Sequence, residues 1–114
     1  MADLKTYDRI LHRTHPVEFA LFLKALYGIR RREVSLSGMK FFADPITDFG
    51  FKIMSDGQYE PEMSSLINRL LKTGDVFVDA GGNEGYFSVY ASKIVGDSGK
   101  VFCVEPQARL WPVI

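Results

Sequence analysis

The residues best suited to chemistry form a glycine-rich segment late in the chain, Asp79-Ala80-Gly81-Gly82-Asn83-Glu84-Gly85. It follows a short apolar run and precedes a helical pattern. Glycines at such a turn let a ligand approach the backbone, and the freed N–H groups and the positive helix end favour an anion. The next apolar run is followed by Glu105, and an acid at that position can accept hydrogen bonds from two ribose hydroxyls. These features predict a site for an adenosine-containing cofactor that also carries an anionic group.

The glycine spacing distinguishes between two such cofactors. The dinucleotide fingerprint G-x-G-x-x-G needs glycines at offsets of two and five positions. Starting from Gly81 those offsets hold Asn83 and Tyr86, and starting from Gly82 the first holds Glu84, so the fingerprint fails. The pattern present is D-x-G-x-x-x-G, which looks like the first motif of class I methyltransferases that use S-adenosylmethionine. A nucleotide-binding oxidoreductase remains a disfavoured alternative, which tighter binding of NAD than of S-adenosylmethionine would restore.

The elements around this segment form a βαβ pattern. Val76-Phe77-Val78 and the run from Val101 to Val104 predict two strands of a parallel sheet, buried on both faces. The helix between them ends near Gly96 and has apolar residues at core spacing, namely Phe87, Tyr90, Ala91 and Ile94. An earlier helix is predicted to open at Glu60-Pro61-Glu62. Its apolar face comprises Met63, Leu66, Ile67, Leu70 and Leu71.

The first half of the chain predicts two helices and a hairpin. One helix includes Leu4 to Leu11, and a second runs from Pro16 to Gly28 with an apolar surface that packs into a core, docks on a partner or rests on a membrane. Met39 to Ala43 and Phe49 to Met54 predict the two strands of a β-hairpin. The basic triplet at residues 30–32 is expected to be solvated beside the helix end, with a phosphate or lipid contact as the alternative. We divide the chain into an N-terminal extension, residues 1–58, and a second region, residues 59–114.

Composition excludes several classes of protein. The 114 residues are 46% apolar and 25% charged with zero net charge, which excludes disorder and offers no global field for nucleic acid. The single Cys103 rules out an internal disulfide and is expected to be a buried small hydrophobe. The N-terminus lacks a signal-peptide core, and no apolar run could span a membrane, so we expect a cytoplasmic protein. His12-x-x-His15 has no further ligands around it, so no metal site is predicted.

The residues around the glycine-rich segment also resemble those of a known protein family. The stretch from Gly74 to Ser88, followed by Val104-Glu105-Pro106, resembles the FkbM family of methyltransferases, and Tyr59-Glu60-Pro61 resembles that family's entry into the preceding helix. The resemblance covers residues 59–106 well and the N-terminal half loosely. It implies the start of a class I, Rossmann-like parallel sheet with S-adenosylmethionine as cofactor. It also implies methyl transfer to a hydroxyl group of a small-molecule or glycan acceptor.

The resemblance assigns a role to each matched residue. Asp79 would shape the loop and reach the cofactor's amino group, Asn83 would fix the loop or touch the methionine portion, and Glu105 would bind the ribose. The remaining matched positions are three glycines that permit close backbone approach and an acid that faces the site, namely Gly81, Gly82, Gly85 and Glu60. The family has alanine in place of Gly82, so a slightly looser loop is expected, and Pro112 falls where a further helix should run.

Simpler roles stay open for the same residues. The glycines could only make a tight turn, and Asp79 could brace the loop without touching a ligand. Glu105 could be a solvated strand end, and Glu60 could be a first-turn acid favoured by the helix dipole.

The extent of the matched sheet sets an expectation for activity. Only the first two strands of a roughly seven-stranded sheet are matched, and in the resembled family the acceptor pocket comes from later strands. We therefore expect a truncated, incomplete domain that binds S-adenosylmethionine weakly and transfers no methyl group; its catalytic residues stay unassigned. The alternative is a non-catalytic binding or assembly module that completes its sheet with a partner chain. The open sheet edge is also expected to allow self-association.

Overall fold

The computed structural model describes residues 4–114, the side chain of Val17 excepted, and shows a mixed α/β chain. Residues 1–3, part of the segment that lacks a signal-peptide pattern, lie outside that range. The elements in chain order are α1 (Thr6–His12), α2 (Val17–Leu26), β1 (Arg32–Leu36), β2 (Met39–Ala43), α3 (Asp48–Asp56), α4 (Pro61–Leu70), β3 (Val76–Ala80), α5 (Tyr86–Val95), β4 (Lys100–Val104) and a 3-10 helix (Ala108–Val113).

The chain divides into two compact units. The first unit comprises the residues up to Leu36 together with Lys40–Gln58, and the second comprises Ser37–Met39 and Tyr59–Ile114. No helix within residues 4–114 is long and apolar enough to cross a membrane.

The first unit is built around a buried carboxylate. Asp8 is fully buried and accepts hydrogen bonds from both terminal nitrogens of Arg32, at 2.8 and 3.2 Å, and from the N–H of Lys5 at 3.0 Å. A carboxylate that leaves water needs such partners, because an unpaired buried charge is very costly. The expectation that the basic triplet is solvated is therefore wrong for Arg32, which forms an ion pair with α1.

The β-hairpin lies earlier in the chain than its predicted position. β1 and β2 pair with each other, and the two-residue connection between them makes the pair antiparallel. The predicted strand from Phe49 to Met54 is wrong, because these residues belong to α3. Thr47 caps this helix by accepting the Gly50 N–H at 3.0 Å, and Gly57 ends it with a φ of 69°. The alternating Phe49, Phe51 and Ile53 also fit a strand, but the caps favour the helix.

Helices α1 and α2 confirm the two predicted helices, yet most of the α2 surface is not core. Ala20 is buried, whereas Phe19, Leu21, Phe22 and Leu26 are exposed. Packing of this surface into the protein's own core is therefore wrong for these four side chains.

The second unit confirms the predicted parallel βαβ arrangement. β3 and β4 pair in parallel from Val76 opposite Lys100 to Ala80 opposite Val104, and α5 packs against both strands. The buried residues of α5 are Tyr86, Ser88, Ala91 and Val95, so of the predicted core positions only Ala91 is fully buried. On α4 only Ile67 of the predicted apolar face is buried.

One face of this sheet is open, which contradicts the prediction that both faces are buried. Burial alternates along both strands: the side chains of Phe77 and Val101 are half-buried on the α5 side, whereas those on the opposite face are exposed. The exposed apolar side chains are those of Val76, Val78, Phe102 and Val104, and we call them the open sheet face. Cys103 is half-buried rather than buried. Beyond β4 the chain forms a 3-10 helix that contains Pro112, in place of an α-helix.

Candidate functional site

The glycine loop, residues 81–85, connects the end of β3 to the start of α5 in left-handed turns. Gly81, Asn83 and Gly85 have φ values of 84°, 49° and 80°, a region that glycine enters freely and asparagine tolerates better than most residues. The N–H groups of Gly81 and Gly82 donate to the Val104 carbonyl at 2.7 and 3.1 Å. The loop is thereby fastened to the end of the neighbouring strand.

Glu105 holds the same loop from its other side. It is buried, and its Oε2 accepts the Asn83 N–H at 2.8 Å while its Oε1 accepts the Gln107 N–H at 2.7 Å. Its backbone carbonyl accepts the indole N–H of Trp111 at 2.7 Å. The parallel pairing thus brings Glu105 and Asn83 together, although they are far apart in sequence.

Asp79 lies at the end of β3, half-buried beneath the loop. Its Oδ2 accepts the hydroxyl of Ser88 at 2.7 Å, which ties the strand end to the first turn of α5. Within the described part of the chain no other hydrogen bond reaches this carboxylate. Asp79 therefore braces the loop with one oxygen and has a second oxygen that can accept a hydrogen bond from a ligand.

Gly82 lies in a close-packed position under the loop. It is buried, and a Cβ at this position would lie 2.2 Å from the Sγ of Cys103 and 3.2 Å from Oδ2 of Asp79. Gly81 differs, because a Cβ there meets no atom within 4 Å. Gly82 therefore lets Cys103 pack tightly under the loop, whereas Gly81 provides the turn and leaves open space beside the backbone.

Glu60 lies at the start of α4, and among the described residues its side chain forms no hydrogen bond or ion pair with the other candidate residues. It is exposed and has a φ of 41°. Its backbone carbonyl accepts the Ser64 N–H at 3.0 Å, but its side chain does not cap the helix. Its neighbour Tyr59 packs edge-on against Tyr86, the first residue after the glycine loop, with ring centroids 5.5 Å apart. The start of α4 therefore lies beside the exit of the loop.

Sequence reasoning assigns no role at the site to several residues that shape it. Tyr59, Tyr86, Phe87 and Tyr90 form an aromatic cluster at the start of α5. The adjacent Tyr86-Phe87 pair was the available signal for it. Nothing local in the sequence shows that Ser88 bonds to Asp79 or that Trp111 bonds to Glu105, because both contacts depend on how the chain folds back.

The loop's own hydrogen bonds limit how it can bind an anion. The N–H groups of Gly81, Gly82, Asn83 and Gly85 all donate within the chain, the last of them to the Gly82 carbonyl at 2.8 Å. The expectation that these loop amides receive a ligand's anion is therefore wrong for these four. An anion is left with the positive end of α5, whose partial charge favours it.

The histidine pair belongs to the other unit. The ring of His12 stacks on Phe51 at a centroid distance of 4.1 Å, and its Nδ1 lies 3.3 Å from the Ile46 carbonyl oxygen. Across residues 4–114 no group of three or more His, Cys, Asp or Glu side chains could hold a metal ion.

Comparison with known proteins adds no relative to this geometry. No family model matches the chain, and neither a curated protein nor a solved structure matches it.

Proposed function

We propose that the second unit is the cofactor-binding start of an S-adenosylmethionine-dependent methyltransferase of the FkbM type. Its sheet would be the beginning of a class I, Rossmann-like sheet, and the acceptor would be a hydroxyl group of a small molecule or glycan. The observation that carries the proposal is the position of Glu105 at the carboxyl ends of two parallel strands. Its carboxylate oxygen lies 2.8 Å from the backbone nitrogen of Asn83. Ligands of open α/β sheets bind at that end of the strands.

The residues present fit the ribose and the amino group of this cofactor. Each Glu105 oxygen accepts one backbone hydrogen bond and, as a carboxylate oxygen, has capacity for another, which a ribose hydroxyl can fill. Asp79 has the capacity to accept a hydrogen bond from the amino group. The open space beside Gly81 lets a ligand lie against the backbone.

The chemistry needs alignment more than acid–base catalysis. When bound, S-adenosylmethionine would supply an electrophilic methyl group, carried on its sulfonium, for transfer to an acceptor oxygen. The protein must hold the donor in line with the acceptor and exclude water. The glycine loop, Asp79 and Glu105 would hold the donor, and no described residue is assigned as a base. Because only the first two strands of the resembled sheet are matched, and the acceptor pocket comes from later strands in that family, we expect weak cofactor binding and no methyl transfer by the residues described.

A titration followed by amide chemical shifts tests this proposal. S-adenosylmethionine should shift the amides of residues 81–85 and change the fluorescence of Trp111, the chain's single tryptophan, which bonds to Glu105. Glu105→Gln should weaken binding by about tenfold, the effect of losing about one charged hydrogen bond. Glu62→Gln, an exposed acid on α4, is the matched control and should leave binding unchanged.

Two results would contradict the proposal. One is stronger binding of NAD than of S-adenosylmethionine. The other is S-adenosylmethionine shifts that avoid the glycine loop. Micromolar affinity, or turnover with a panel of hydroxyl acceptors, would contradict only the expectation of weak, inactive binding.

The open sheet face favours a second candidate function, a non-catalytic assembly module. β3 and β4 pair only with each other among the described residues, so each has a free edge beside four exposed apolar side chains. Such edges and faces are sites for association with another chain. A stable oligomer that forms without cofactor and dissociates on Val78→Lys would support this function.

A further inference from the structure

Helix α2 carries a second apolar surface, in the other unit and independent of the proposed cofactor site. One side of the helix holds Glu18 and the residues three, four and seven positions after it, which are Leu21, Phe22 and Ala25. Phe19 and Leu26 extend the same side, and all six residues are exposed. We call these six residues the α2 face; Glu18 is its one charged member.

The charges around this surface favour a protein partner over a membrane. Helices that lie on anionic membranes have Lys and Arg along their polar side. The only basic residue of α2, Lys24, is paired with Asp44, and Glu18 lies within the apolar surface itself. An acid there opposes insertion among lipid tails but suits a protein interface that offers a cation.

That cation is present in the chain itself. Arg30 is exposed and follows the end of α2 by four residues, whereas Glu18 lies in the first turn. Neither side chain has an ion pair or hydrogen bond within the described part of the chain. In an antiparallel pair of α2 helices the start of one lies beside the end of the other, so Glu18 would meet Arg30 twice.

The available area is sufficient for such a pair. A fully covered aromatic side chain buries ~150–250 Å², so each large, half-exposed side chain of the α2 face offers roughly 100 Å². With Glu18 and Ala25 this gives on the order of 500 Å² per copy, about 1,000 Å² in a symmetric dimer, which is the lower bound for a specific interface.

We propose that the α2 face is a homodimer interface. Two copies pack antiparallel about a two-fold axis, with Phe22 and Leu26 near the centre and Glu18 of one copy opposite Arg30 of the other. A two-fold axis places the same surface on both copies, so no further segment is needed to complete the interface.

Sedimentation over a concentration series tests the proposal with a closely matched control. Leu26 is 66% exposed at the last residue of α2, and Leu70 is 67% exposed at the last residue of α4. Leu26→Glu should raise the dimer dissociation constant by about tenfold or more, as expected for loss of a central apolar contact. Leu70→Glu should leave it unchanged.

Charge reversal tests the orientation. Glu18→Arg and Arg30→Glu should each weaken the dimer, and the double variant should restore it, because only a contact between the two side chains allows rescue. A monomer at all concentrations would overturn the proposal, as would equal effects of Leu26→Glu and Leu70→Glu. If Val78→Lys dissociates the dimer and the α2 variants do not, the interface is the open sheet face instead. If the protein stays monomeric but binds vesicles, and Leu26→Glu abolishes that binding, the α2 face binds lipid instead.

Discussion

The two small sheets of this protein have similar strands in different surroundings. β2 and β4 are both five residues long with phenylalanine at the third position. In β2 the side chain of Phe41 is 4% exposed and packs edge-on against Phe49 of α3, whereas in β4 the side chain of Phe102 is 53% exposed. The strand composition therefore leaves open which faces are covered, and the packing of other elements decides it.

Two close-packed glycines, Gly50 in the first unit and Gly82 in the second, face different kinds of atom. A Cβ on Gly50 would lie 1.8 Å from the backbone oxygen of Asp44, so α3 packs directly on the chain before it. The corresponding contact at Gly82 is with the side chain of Cys103. A backbone atom cannot move without moving its chain, whereas a side chain can be shortened, so the second contact can be relieved by mutation.

The largest expected effect comes from truncating Phe41, and Phe102 is its matched counterpart in the other sheet. Phe41→Ala should lower the free energy of unfolding by about 3–5 kcal/mol, because it leaves a cavity in a packed core. Phe102→Ala should cost about 1 kcal/mol or less, since half of that side chain already contacts water. Urea denaturation followed by circular dichroism measures both. Equal losses would mean that a partner covers the open sheet face in solution.

The next effect concerns Gly50. Gly50→Ala should cost about 3 kcal/mol, because overpacking against Asp44 exceeds the gain of about 1 kcal/mol in helix propensity. Gly57→Ala is the control: no atom lies within 4 Å of its Cβ position, and only its φ of 69° opposes the change, at about 1 kcal/mol. Hydrogen exchange of α3 amides reports the loss in this unit. A cost for Gly50→Ala no larger than for Gly57→Ala would contradict the close contact.

The smallest effect is a coupling between Gly82 and Cys103. Gly82→Ala should cost about 2 kcal/mol through overlap with the thiol. Combining it with Cys103→Ala should recover at least about 1 kcal/mol relative to the sum of the single changes. Trp111 fluorescence during urea denaturation follows this unit. Simple additivity would show that the thiol does not limit the residue at position 82.

Sequence patterns predicted the parts of the fold that depend on local spacing. The two N-terminal helices, the βαβ order and the parallel pairing of β3 with β4 follow from apolar periodicity and glycine turns. The strand predicted at residues 49–54 is wrong. Phe49, Phe51 and Ile53 alternate as in a strand, but Phe49 and Ile53 are also four residues apart, the spacing of one side of a helix. The deciding signals were the Thr47 cap and the Gly57 stop, which are local and could have been used.

The candidate site divides in the same way. The positions of Asp79, the glycines and Glu105 at strand ends were readable, since parallel strands bring their carboxyl ends to one edge. The bonds from Ser88 to Asp79 and from Trp111 to Glu105 were not, because they join residues through turns whose course depends on packing. Residue spacing also does not show that four N–H groups of the loop donate hydrogen bonds within the chain.

The sequence alone determined which residues lie on the glycine loop, because glycine, asparagine and a following helix restrict the backbone locally. Tertiary structure alone decided which apolar residues are covered. Residues such as Phe22, Leu26 and Phe102 have the same affinity for an apolar environment as their buried counterparts. Burial depends on which elements lie opposite, and that is a property of the whole arrangement rather than of any segment.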